Sequence, residues 1–160
     1  MKAFSKALLL ALAFSTFATQ AFAEEFIRLK NRWTGDYMHI ENKKGHVELT
    51  KTLRPGGMWS AQWEMVPAEG NYFLLKNRWT GDYMHIENKK GRVELTKTLR
   101  PGGMWSAQWE MVSVEGDYFR LKNRWTGDYM HIENGTGYVE TTNTLRPGGM
   151  WSSQWQTVNP

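Results

Sequence analysis

The sequence predicts an all-β protein built from three copies of one four-stranded unit. Three observations carry this. Leu29-Lys30-Asn31-Arg32-Trp33 recurs at Leu75–Trp79 and at Leu121–Trp125, a period of 46 residues in both steps. Within each period, apolar residues alternate with polar ones at a spacing of two, the signature of half-buried strands. Turn residues, chiefly Gly, Pro, Asn and Asp, punctuate each unit at matching offsets. From Leu29 to Val66 the first copy matches the second at 37 of 38 positions, with only His46 replaced, by Arg92; the third copy matches at 30 of 38.

The first strand of the unit is read over Ile27–Trp33. Ile27 and Leu29 share one face, Arg28, Lys30 and Arg32 the other. Phe73 and Leu75, then Phe119 and Leu121, repeat the apolar face. Thr34-Gly35-Asp36 turns the chain into a second strand, Tyr37–Asn42, with Met38 and Ile40 inward. Lys43-Lys44-Gly45 turns it back into Val47–Leu53. In Arg54-Pro55-Gly56-Gly57 the proline presets φ and the glycines accept positive φ. Ser60–Val66 is the fourth strand, with Trp63 and Met65 inward, and Glu69-Gly70-Asn71 leads into the next copy. No segment after the leader has helical periodicity.

One such unit cannot bury its apolar face alone. Three units about a pseudo-threefold axis share one core and close into a barrel, which removes free sheet edges. That is a β-trefoil, with repeats at about 26–71, 72–117 and 118–160. The rival is a β-propeller, whose blades also have four strands, but three blades do not close a ring.

The first 23 residues are expected to be a secretory signal peptide. Lys2 and Lys6 precede an apolar run from Ala7 to Phe14, and Ala21-Phe22-Ala23 offers a small-residue cut site. The run is too short to span a bilayer. Cleavage after Ala23 leaves residues 24–160 as one domain, secreted or periplasmic and not an integral membrane protein. A domain of that size needs no disulfide, and the chain has no Cys. The leader lysines supply two of the four net positive charges. The remaining charges are interspersed rather than gathered on one face, which argues against a nucleic-acid partner.

Alternate residues of the second strand form a polar stripe read as outward: Tyr37, His39 and Glu41, then Tyr83, His85 and Glu87, then Tyr129, His131 and Glu133. An aromatic ring that packs on the apolar face of a pyranose, beside groups that bond its hydroxyls, makes a sugar site. Asp36, Asp82 and Asp128 at the preceding turn could add acceptors. The bland alternative is a solvated strand face. Of three tryptophans per unit, Trp63 is assigned to the core. Trp33, with Trp79 and Trp125, and Trp59 sit at strand ends, where they plug the barrel or rim a groove. Arg32 points outward to bond hydroxyls or to pair with Asp36. An axial zinc site from the three symmetry-related histidines is disfavoured by that outward phase, and no cofactor is expected. Catalysis needs a unique cleft, whereas every candidate group here is triplicated.

The unit resembles those of the ricin B-type β-trefoil lectins and the carbohydrate-binding modules of that fold. Leu29, Asn31, Thr34-Gly35 and Met38 fit the family frame, and Gln62-Trp63 stands at its end. The resemblance covers essentially residues 24–160. Two departures stand out: Gln62 adjoins Trp63 instead of preceding it by two, and His39 occupies the place of a sugar-binding Asp. The resemblance implies a multivalent lectin or free-standing carbohydrate-binding module whose partner is a polysaccharide or glycan, cell-surface glycoconjugates included. A protein-binding module on the same scaffold, such as a secreted inhibitor, an adhesion subunit or a toxin partner, is the second reading.

Overall fold

A computed structural model describes residues 25–41, 45–86, 91–133 and 137–160. The leader expectation, residues 1–23, lies outside them. Twelve strands run in chain order: β1 Phe26–Asn31, β2 Tyr37–Ile40, β3 Val47–Thr50, β4 Trp63–Pro67, β5 Phe73–Asn77, β6 Tyr83–Ile86, β7 Val93–Thr96, β8 Gln108–Ser113, β9 Phe119–Asn123, β10 Tyr129–Ile132, β11 Val139–Thr142 and β12 Trp155–Val158.

Six of them form a closed antiparallel ring. β1 pairs with β4, β4 with β5, β5 with β8, β8 with β9, β9 with β12, and β12 returns to β1. The other six form three hairpins, β2–β3, β6–β7 and β10–β11. The hairpins meet one another in rotation: Leu49 N–H donates to Gly137 O, Thr141 N–H to Gly91 O, and Leu95 N–H to Gly45 O. A six-stranded barrel capped by three hairpins about one axis is the expected β-trefoil.

The core is threefold in composition. Leu29, Met38, Val47 and Trp63, with their mates in the other repeats, are buried. Each core tryptophan also ties barrel to cap, because its indole N–H donates to a hairpin carbonyl: Trp63 to Met38 O at 3.2 Å, Trp109 to Met84 O at 3.3 Å and Trp155 to Met130 O at 3.2 Å. The inward phase read for Trp63 therefore holds, and its polar edge is satisfied.

The strands are shorter than the sequence suggested, for local reasons. β1 stops at Asn31 because that side chain accepts the N–H groups of Trp33 and Thr34, which bends the chain. β3 stops at Thr50, whose hydroxyl donates to Thr52 O. The first part of the expected fourth strand is instead a single 3-10 turn, Trp59–Ala61, repeated at Trp105–Ala107 and Trp151–Ser153. Gly56 and Gly57, at φ +88° and +96°, reverse the chain so that Ala61 N–H reaches Met58 O at 2.9 Å. Such short turns leave no periodicity to read. Among the described residues, no helix is long and apolar enough to cross a membrane.

Between Leu29 and Val66, the one position at which the first two copies differ lies where the hairpins converge. His46 and Tyr138 meet edge to face at 4.5 Å, and the Arg92 guanidinium lies 4.4 Å over the Tyr138 ring. The three unlike side chains at this position thus pack on one another where the repeats meet.

Trp63→Ala should destabilise the fold by about 3–5 kcal/mol, since it opens a cavity and orphans a buried carbonyl. Tyr37→Ala, at a half-buried position, should cost clearly less. Urea melts of the two variants check this, and equal losses would contradict the packing described.

Candidate functional site

Three equivalent clefts open at the edge of the hairpin cap, with volumes of about 360, 380 and 350 Å3. These lie at the low end of the ~300–1,000 Å3 usual for small-ligand sites. Cleft one is walled by His39 and Glu41 at the end of β2, by the Arg54-Pro55-Gly56 turn, by Trp59 and Ser60 of the 3-10 turn, and by Trp79. Cleft two has His85, Arg100, Trp105 and Trp125 in the same places. Cleft three has Glu133, Arg146, Trp151 and Trp33.

Each cleft thus takes one tryptophan from its own repeat and one from the next, with Trp33 closing the circle. All six are exposed, between 44% and 53%. Large aromatic surface left in water at three symmetric places is unusual in a soluble fold. Of the two options for the strand-end tryptophans, plug or rim, the structure takes the rim.

A buried amide places both walls. Asn77 accepts the N–H groups of Trp79 and Thr80 at 3.0 and 3.4 Å, and donates to Ser60 O at 3.0 Å and Gln62 O at 3.4 Å. Asn31 and Asn123 make the same four bonds. The neighbouring arginine does not pair with the turn aspartate as the sequence suggested. Arg32 bonds Gln154 Oε1 at 2.7 Å, pairs with Glu115 at 2.5 Å and stacks over Trp151 and Tyr118.

The polar stripe of the second strand is only partly a surface stripe. His39, His85 and His131 are all buried, at 4–6% exposure, which corrects the open, outward surface read for them. The cause is the 3-10 turn, which packs against that strand and covers the face the sequence left open. His39 and His85 still reach cleft walls, whereas cleft three is walled by Ile132 and Glu133 beside His131. Glu41 and Glu133 line clefts one and three; Glu87 lies outside the described residues.

Tyr37, Tyr83 and Tyr129 stand off the clefts, half-buried, with Lys30 and Lys122 over Tyr37 and Tyr129. Asp36, Asp82 and Asp128 also stand off the clefts; their carbonyls accept from Asn31, Asn77 and Asn123, which closes the turn. Reading the sequence missed Arg54, Arg100 and Arg146 as wall residues. Arg-Pro-Gly-Gly-Met-Trp-Ser is identical in all three repeats, more than a turn requires, and that identity was the available signal.

Burial holds the His39 imidazole below its ordinary pKa, against the opposing pull of Glu41 and Glu48. Burial does the same to His131, opposed by Glu133 and Glu140 and aided by Arg146. Both rings are therefore neutral at neutral pH. Among the described residues, the buried His39 Nδ1 has no hydrogen-bond partner. In cleft three Arg146 and Glu133 pair at 3.5 Å, which sets a donor fork beside an acceptor. Aromatic faces flanked by such groups can hold a ligand that is apolar on one side and hydroxylated at its edge.

A family model described as ricin-type β-trefoil lectin domain-like matches residues 59–145. Among solved structures, the GlcNAcα1-4Gal-releasing endo-β-galactosidase from Clostridium perfringens is 34% identical with a TM-score of 0.75, over 85% of this chain and 32% of that one. The chain therefore spans about a third of that enzyme's length. The designed threefold-symmetric protein ThreeFoil is 22% identical with a TM-score of 0.67, covering 84% of this chain and 99% of that one. The Polyporus squamosus lectin, solved with Neu5Acα2-6Galβ1-4GlcNAc, is 18% identical with a TM-score of 0.66, covering 85% and 49%. No curated protein sequence matches the chain.

Because the folded pKa of His39 and His131 is lowered, the unfolded chain binds their protons more readily. Their contribution to stability is complete above the unfolded value of about 6.5 and is lost as pH falls through the folded one. Melting temperature should therefore drop between neutral pH and the onset of carboxylate titration. In the double variant His39→Gln, His131→Gln that slope should flatten, and a slope unchanged by the substitutions would contradict the assignment.

Proposed function

Because the chain belongs to the ricin-type β-trefoil lectin domain-like family, we propose that its three clefts are carbohydrate sites and that the protein is a trivalent glycan binder. Carbohydrate binding is the property the family and the lectin neighbours support. The finer reading, one glycan end per cleft, rests on one observation: paired, exposed tryptophans recur three times over polar groups of fixed geometry.

The chemistry follows from the walls. A Trp59 or Trp79 face packs against the C–H face of a pyranose. Arg54 donates to ring hydroxyls, Glu41 accepts from them, and the neutral imidazole of His39 offers one more bond. The tyrosines and turn aspartates stand outside the walls and have no part. Galactose-bearing glycans are the first candidates, since the 34%-identical structure is named for releasing GlcNAcα1-4Gal. The clefts bind without turnover: their groups recur in near-equivalent settings, where acid–base chemistry needs two unlike ones. With the leader cut after Ala23, the domain meets glycans outside the cytoplasm, and three linked sites favour polysaccharides and cell-surface glycoconjugates over free sugars.

Calorimetry with galactose-terminated oligosaccharides should give up to three weak sites per chain. Trp59→Ala should leave two, and removing Trp59, Trp105 and Trp151 together should abolish binding while the circular dichroism spectrum stays native. Retention of glycan by the triple variant, or a wild-type protein silent across a glycan array, would overturn the proposal.

A further inference from the structure

The sequence repeat and the site repeat are out of step. Asn77, Arg78 and Trp79 open repeat two, yet all three act on the cleft of repeat one. Asn77 bonds the 3-10 turn that carries Trp59. Trp79 is the opposite wall. Arg78 lies underneath: its guanidinium is 4.8 Å from the centre of the Trp59 ring and 4.3 Å from that of Phe26. Its Nη1 donates to Gln62 Oε1 at 2.6 Å, and its backbone N–H to Gln62 O at 2.9 Å. Gln62 Nε2 in turn donates to Gly57 O, in the turn that leads into Trp59. The same stack and glutamine bond join Arg124 to Trp105 and Gln108, and Arg32 to Trp151 and Gln154; the further bond from glutamine to the turn recurs at Gln154, which donates to Gly149 O.

We propose that Arg32, Arg78 and Arg124 are positioning residues for the clefts of the preceding repeats. Each stacks against the covered face of one exposed tryptophan and leaves the other face to the ligand. An exposed indole without such backing samples several rotamers, and ordering it on binding costs affinity. A planar guanidinium both stacks and reaches the glutamine carbonyl, which an ammonium cannot do together. The positioning role stands on geometry alone; its effect on affinity rests on the carbohydrate reading above.

Arg78 is the cleanest probe. Arg32 and Arg124 are tied to Glu115 and Glu69. Arg78 has no carboxylate partner among the described residues, and the residue one period before Glu69 is Ala23. Arg78→Gln therefore disturbs little beyond the stack and the bond to Gln62.

The protein is labelled with 5-fluorotryptophan, and the lines of Trp59, Trp105 and Trp151 are assigned by single substitution to Phe. Without ligand, Arg78→Gln should move and broaden the Trp59 line and leave the other two in place. Arg78→Lys should not restore it. In a lactose titration read on the same lines, the Trp59 midpoint should weaken by about tenfold and the other two by less than about twofold. An unmoved Trp59 line, restoration by Lys, a change that falls on Trp105 of the arginine's own repeat, or equal changes in all three lines would each overturn the positioning role. If lactose moves no line in the unsubstituted protein, that counts against galactoside binding, while the ligand-free spectra still decide what Arg78 does.

Discussion

Much of this structure hangs on the side-chain amide of Asn77 and its two mates. A buried primary amide has two donors and room for two acceptor bonds, and each that goes unmet costs about 1–3 kcal/mol. Asn77 meets all four within one small region: two bonds shape the turn that carries Trp79, and two hold the 3-10 turn that carries Trp59. Two aromatic walls from different repeats are thereby referred to a single rigid point. The arginine stack, the glutamine bond and the cleft width all follow from that placement. A shorter side chain could not reach both turns, and Asp could not donate.

This division of labour explains what could and could not be read from the sequence. The period of 46, the alternation in β1 and the turn residues suffice for the β-trefoil, because barrel closure leaves few other ways to bury three copies of one face. Trp63 was legible because its phase and its core role agree. The histidines were not, because alternation tells which side of a strand a residue takes and not what later covers that side; the covering turn begins about twenty residues downstream of His39. Arg32 was read against its sequence neighbour Asp36, but its partners Trp151 and Gln154 are brought to it by pairing of β1 with β12, and Glu115 and Tyr118 by the further pairing of β12 with β9. The clefts lie between repeats, and periodicity within one repeat carries no information about its neighbour.

The three clefts are not identical copies. Residues 54–66 and 100–112 have the same sequence, yet Met58 takes a left-handed backbone at φ +37° while Met104 is extended at φ −72°. Met150 follows Met58, at φ +38°. A left-handed residue without glycine ordinarily costs about 1–2 kcal/mol, so the extended Met104 avoids a strain that Met58 and Met150 carry. The methionine lines the cleft in each repeat. The clefts therefore differ in backbone at the methionine, while the asparagine and arginine contacts recur at the tryptophan walls.

The pairing of β1 with β12 has an arithmetic consequence. Every cleft is a seam between two units, so a linear row of three units would have only two seams. Joining the ends makes a third, from Trp33 near one terminus and Trp151 near the other. The circle has no natural first member, and a chain cut at the Glu69-Gly70 turn and rejoined end to end would enclose the same three seams. Deleting one unit, by contrast, would break two seams at once and leave a single complete one.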